Sequence, residues 1–242
     1  MRVLAIETVG TAGSVALLDE QGILDSRDLA PHERSAKSLA PTIQELLNAH
    51  AWRPRDVQLV VVAAGPGSFT GLRVGVTTAK TYAFATGAAL VGVSSLAAIA
   101  WACPADVEAV WALVDAQRQQ AFVARFHRAG IREALPRSDH TAHPGAAWQQ
   151  ARPSEIVDCV RWVAGLKDGD AVAGPLAIKL ADRLPPGVRI ITSAPASPHA
   201  TAVGQLGWQL YQQGQRDDPF QLVPYYLRGT AAEEQWERLG RR

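Results

Sequence analysis

An α/β fold built in two successive halves is what this chain of 242 residues predicts. Three observations lead there. Short apolar runs of strand length alternate with longer segments whose apolar residues recur at helical spacing. A hairpin followed by alternating strands and helices begins at Val3, and the second half starts again with a hairpin after Pro104. Turns rich in glycine, proline and serine separate the segments. Strands alternating with helices imply a mostly parallel sheet covered by helices, with an antiparallel hairpin added at one side.

In the first half, Val3–Ile6 and Ser14–Leu18 flank a turn through Gly10–Gly13 and read as a hairpin. Leu39–Ala49 follows as a helix with an apolar stripe at Leu39, Ile43, Leu46 and Leu47. Pro41 is tolerable there if it lies in the first turn. Leu59–Ala64 is an unbroken apolar strand, Leu72–Thr86 a helix, Leu90–Val93 a strand and Ser95–Trp101 a short helix.

In the second half, Val107–Val114 and Ala121–Phe126 read as a hairpin, and the polar stretch Pro136–Pro153 as a loop and insertion. Ala171–Ala173 is a strand, Gly174-Pro175 a turn and Leu176–Leu184 a helix. Val188–Ile191 is the next strand, and His199–Gln213 a final long helix. The expected units are residues 1–103 and 104–242, with the tail 224–242 able to return to the first.

The most specific segment is Gly65-Pro-Gly-Ser-Phe-Thr-Gly-Leu-Arg-Val-Gly75, placed between a buried strand and an alanine-rich helix. Glycines remove side chains where the backbone turns sharply or approaches something closely, and amides opening the helix form a ready anion site. Packing alone is the competing explanation. Leu72-Arg73 after Gly71 excludes a Walker A loop, which needs Lys then Ser or Thr. The third glycine comes one residue late for a dinucleotide fingerprint, and the next strand ends in Ser94-Ser95 with no carboxylate to hold a ribose. Ser68 is no nucleophile elbow either, because Thr70 stands where that motif needs glycine.

Composition narrows the class. An apolar fraction of 48% with 19% charged residues is that of an ordinary globular protein. Lys plus Arg number 24 against 23 Asp plus Glu, so no global field attracts polyanions; the basic tail Arg238–Arg242 reads as a solvated terminus. Cys103 and Cys159 form no C-x-x-C pair, which fits a reducing cytoplasm. No apolar run approaches the ~18 residues of a membrane span.

The string GPGSFTGLRVG, the opening Val3-Leu-Ala-Ile-Glu-Thr8, the segment Ala109–Arg118 and the C-terminal Pro224-Tyr-Tyr-Leu-Arg228 together resemble the TsaB (YeaZ) family. The resemblance spans nearly the whole chain. It implies two tandem ribonuclease-H-like lobes of the actin/Hsp70/sugar-kinase architecture. It also implies a non-catalytic role in bacterial tRNA threonylcarbamoyladenosine synthesis. The implied partners are the metal-bearing paralogue TsaD in a heterodimer, the ATPase TsaE, tRNA reached only through the complex, and a second copy of the chain when TsaD is absent. TsaC or its homologue would supply the threonylcarbamoyl-adenylate.

In that architecture the turn after Glu7 and Thr8 faces the phosphates of a nucleotide between the lobes, and Asp115 meets the same cleft. These three residues are the candidates for ATP or ADP with magnesium. The family usually carries Asp at Glu7, and Ala-Arg-Arg-Gly where Ala116-Gln-Arg-Gln119 stands here. Glu7 therefore reads either as a misplaced metal-facing carboxylate or as a solvated or capping residue. No catalytic residues and no metal site are expected. His32 has Ala36 four residues on instead of a second histidine, and His140-Thr-Ala-His143 lies in a loop beside Pro144. The partner surface is expected on the glycine loop and the helix after it, through Gly65, Gly67, Ser68, Phe69, Thr70, Gly71, Arg73, Val76, Ala79 and Ala83. Sequence leaves open whether Ala79 or Ala83 points outward. The competing account is a core helix. Two readings from other classes remain, an ATPase or small-molecule kinase of the same fold and a peptidase.

Overall fold

The structure, a computed structural model, describes residues 1–10, 12–30, 35–128, 148–192 and 198–228. It contains the same sheet twice. In the first half, β1 (Val3–Glu7), β2 (Ser14–Asp19), β3 (Gly22–Asp28), β4 (Leu59–Gly65) and β5 (Ala89–Ser94) lie in the order β3-β2-β1-β4-β5. In the second, β6 (Ala109–Asp115), β7 (Gln120–Arg128), β8 (Trp148–Asp158), β9 (Ala171–Ala173) and β10 (Arg189–Ile191) repeat it as β10-β9-β6-β7-β8. In each, a central strand (β1 or β6) is shared by an antiparallel set of three and a parallel set of three. This is the two-lobed actin-like architecture.

The apolar strands β1 and β4 are central and buried on both faces, which is why they read as unbroken runs rather than alternating ones. Val3, Ala5, Leu59, Val61 and Ala63 point to one face; Leu4, Ile6, Val60 and Val62 point to the other. The second face is covered by α1 (Ser35–Ala49) and α2 (Phe69–Thr86). Leu39, Ile43, Leu46 and Leu47 are all buried there. α1 starts four residues earlier than its apolar stripe, so Pro41 falls in the second turn and not the first.

The first face is covered by α6 (Ala200–Gln212), the last helix of the chain, together with α3 (Ser95–Trp101). A methyl group on Gly207 would lie 2.1 Å from a Val61 methyl, so glycine lets this helix settle directly on the sheet. The same cluster includes Val110, Ala112, Phe122 and Phe126 from the second sheet, so one core joins both sheets through α3. The other face of the second sheet holds Leu113, Val123 and Val172 under α4 (Cys159–Ala164) and α5 (Pro175–Lys179).

Two expectations are corrected. Residues 148–153 of the expected loop belong to β8, an edge strand that accommodates Pro153 where an interior strand would not. The expected helix 176–184 is α5 followed by a separate 3-10 turn at Ala181–Arg183. His32, His140 and His143 lie outside the described residues, as does the basic tail.

Candidate functional site

The conspicuous loop, the turn after β1 and the end of the chain meet at one place. α2 begins at Phe69, three residues before its apolar periodicity, so Gly71 sits inside the first helical turn. A methyl there would lie 1.9 Å from the Thr8 carbonyl oxygen, and one on Gly75 would lie 2.2 Å from Thr8 Oγ1. Thr8 Oγ1 donates to the Gly71 carbonyl at 2.7 Å. The glycines thus let the turn 7–10 lie directly on the helix. The expected anion site is largely taken by the chain itself. Ser68 N–H donates to the Val9 carbonyl, Gly71 N–H to Ser68 Oγ and Leu72 N–H to the Ser68 carbonyl. Ser68 is the helix N-cap.

Glu7 is fully buried. Its Oε1 accepts from the Val9 and Gly10 amides at 2.6 and 2.8 Å, while Oε2 has no partner. Burial pushes its carboxyl up to about 8; the two amides oppose that and Asp28 adds slightly to it. At neutral pH the group is held protonated. A protonated carboxyl closed off from solvent does not fit a hydrated magnesium ion. Glu7 is a turn-locking residue.

Asp115 ends β6 as Glu7 ends β1. Its Oδ1 accepts from Gln117 N–H at 2.8 Å and its Oδ2 from Lys179 Nζ at 3.1 Å. No hydrogen bond or ion pair among the described residues joins it to Glu7 or Thr8. The turn beyond it carries Gln117, Arg118 and Gln119 at φ 65°, 53° and 58°, three consecutive left-handed residues without a glycine. Gln119 stands where the family pattern has glycine.

The C-terminal segment binds these parts together. Asp217 bridges to β5, its N–H donating to Leu90 and its Oδ2 accepting from Gly92. Lys80 Nζ donates to the Leu222 carbonyl at 2.8 Å, and Tyr225 N–H to the Ala64 carbonyl at 2.7 Å. The Tyr226 ring lies 4.9 Å from Phe69, whose other neighbour is the Arg73 guanidinium at 4.0 Å. Arg228 then reaches the second lobe, donating to the Ala116 carbonyl and to Gln120 Oε1. The Pro-Tyr-Tyr-Leu-Arg string is therefore a strap from lobe to lobe, a role no periodicity signals.

α2 has one buried face and one exposed face. Val76, Ala79 and Ala83 are at most 2% exposed against the sheet, so none of them presents an outward surface. Thr70, Arg73, Thr77, Thr81 and Phe84 form the outer stripe. Phe84, 66% exposed, makes an edge-to-face contact with Phe220, itself 74% exposed. Sequence reading missed this pair because Phe220 belongs to an aperiodic tail.

The doubled sheet and the glycine loop closed by a C-terminal strap define an actin-like α/β protein of the small two-lobed kind. Residues 30–142 match the family described as TsaD: tRNA N6-adenosine threonylcarbamoyltransferase. The chain is similar to the tRNA threonylcarbamoyladenosine biosynthesis protein TsaB of Bacillus subtilis, 28% identical over 98% of each chain. It is also similar to the protein of that name from Escherichia coli, 32% identical over 53% of this chain and 56% of the other. The solved structure of YeaZ from Pseudomonas aeruginosa superimposes with a TM-score of 0.75 at 24% identity, over 93% of this chain and 99% of that one. Over nearly its whole length the chain is similar to proteins named TsaB and YeaZ.

Proposed function

We propose that this protein is a non-catalytic subunit of the bacterial machinery for tRNA threonylcarbamoyladenosine. It would form a heterodimer with TsaD and enable the transfer of threonylcarbamoyl to tRNA adenosine. The observation that carries this reading is end-to-end similarity to a relative named for that pathway, combined with a stripe on α2 that stands exposed among the described residues. Phe84 and Phe220, an aromatic pair standing largely in solvent, have the composition of an interface centre. TsaE, tRNA held through the complex, self-association when TsaD is absent, and a cytoplasmic location belong to the same proposal. None of the described helices is long and apolar enough to cross a membrane.

The local chemistry supports a scaffold. Glu7 locks a turn, Ser68 caps a helix and Asp115 is paired with Lys179. A kinase would need a cleft carboxylate free to meet magnesium, and a peptidase an activated nucleophile; the described residues offer neither in those positions. The test mixes purified chain, TsaD, threonylcarbamoyl-adenylate and tRNA, omitting one protein at a time. Modified nucleoside is expected only when both proteins are present. Product from this chain without TsaD would overturn the reading.

A further inference from the structure

A second feature lies away from the loop and strap, on the outer face of the second sheet. Trp111, Arg125 and Arg152 stand side by side on β6, β7 and β8, since Trp111 registers with Arg125 and Arg125 with Arg152. With Lys167, Asp168 and Asp170 from the loop after α4 they line a cleft of about 440 Å³. That volume falls in the range of small-molecule sites.

Three properties set the cleft apart from its surroundings. Two arginines face each other directly across an antiparallel pair, an arrangement that destabilises a sheet. The register shifts on both sides of Arg125, and such irregularities re-aim side chains beside functional sites. The Trp111 indole nitrogen is buried and has no acceptor.

Among the described residues, the acidic ones pair with only one of the three cations, Arg125. Asp170 is already engaged, with Oδ1 at 3.7 Å from Arg125 and Oδ2 accepting from Lys167 N–H. The Asp168 carboxylate lies against Gly187. Arg152 and the Lys167 ammonium have no ion-pair partner among the described residues. Arg125 in turn lies 5.7 Å from the Trp111 ring centroid.

We propose that this cleft binds a phosphate group. Arg152 and Lys167 supply the charge, and Trp111 supplies an aromatic wall for the body that carries the phosphate. An oxyanion would relieve the arginine pair. The phosphate could be borne by a free nucleotide or by a nucleic-acid backbone. The chemistry of recognition is shared, and the experiment separates the two sources.

Full-length protein is titrated calorimetrically with inorganic phosphate and with AMP up to about 10 mM, and by fluorescence anisotropy with labelled tRNA. The variants are Arg152→Gln with Lys167→Gln, and Trp111→Leu, which removes the aromatic wall. Arg161→Gln, an exposed cation outside the cleft, is the control. Circular dichroism confirms the fold of each. At least one probe is expected to bind and to weaken roughly tenfold or more in the double variant and severalfold in Trp111→Leu, with the control unchanged. Loss confined to phosphate and AMP identifies a free nucleotide site, and loss for tRNA identifies the backbone. Absence of binding by every probe, or binding undiminished in the double variant, overturns the proposal. The isolated chain is assayed without TsaD, so this result is independent of whether the two proteins pair.

Discussion

Glu7 shows how much of a residue's role depends on burial that its neighbours in sequence do not announce. Its position at the end of the first strand was legible; its sealed environment comes from Gly71 and Thr8 closing over the turn, a contact made across 63 residues. Burial raises its carboxyl from 4.5 to about 8, so between those values the folded protein holds a proton that the unfolded chain has released. Stability must therefore fall as pH rises through that window and level off above it. The shift corresponds to a loss on the order of 5 kcal/mol between acid and alkaline limits. Glu7→Gln keeps an oxygen for the two amides and remains neutral throughout. Urea unfolding from pH 5 to 9 should show a flatter profile for the variant, which should be the more stable protein at pH 9. Equal slopes for the two proteins would mean that Glu7 is charged in the fold. A second residue-scale expectation concerns Gln119, held at φ 58°. Left-handed backbone disfavours any side chain with a Cβ, while glycine gives up more freedom on folding. Gln119→Gly should raise stability by about 0.5–1 kcal/mol, read from the urea midpoint.

Among the elements, those carrying a strong apolar signal were legible and those at edges were not. β1 and β4 are buried on both faces and read as strands at sight. β3 and β8 are edge strands with mixed, largely polar sequences, and β8 contains a proline; nothing in such a pattern distinguishes a strand from a loop. For α2 the sequence showed apolar residues on several faces and left the orientation open. The sheet decides it, burying Ala79 and Ala83 and turning Thr77, Thr81 and Phe84 outward. Two substitutions on one helix should therefore separate fold from partner binding. Ala79→Asp strands a charge in the core, where an unpaired ion costs several kcal/mol, and should abolish the native circular dichroism and the sharp thermal transition. Phe84→Asp lies in solvent and should leave both intact while lowering affinity for TsaD by at least roughly tenfold, the scale of a lost interface anchor. Size-exclusion chromatography with TsaD, run beside the folding assays, checks both. Undiminished pairing by folded Phe84→Asp would move the partner surface off this helix.

For the molecule as a whole, the sequence showed two halves but not how they share a core. The repeat of strand order was readable because hairpin and parallel strands recur after Pro104. That α6 belongs on the first sheet was not, because a helix's amphipathic stripe does not say which sheet it will cover. Gly204 and Gly207 fit it to Leu18, Ala5 and Val61, more than 140 residues earlier in the chain. The strap adds contacts to Leu90, Ala64 and α2 before Arg228 crosses to Ala116. A chain ending at Cys103 would lack both, leaving only α3 over the sheet face that carries Val3, Ala5, Val61 and Ala63. Exposed apolar area on that scale favours aggregation over an independent fold. The chain should accordingly unfold as one unit: differential scanning calorimetry is expected to give a single transition whose van't Hoff and calorimetric enthalpies agree. Residues 1–103 expressed alone should be insoluble or lack a cooperative melt. Adding residues 198–228 through a flexible linker should recover one, because that segment restores α6 and the strap to the face they cover. Two resolved transitions in the full chain, or a cooperatively melting 1–103 fragment, would show that each lobe folds on its own.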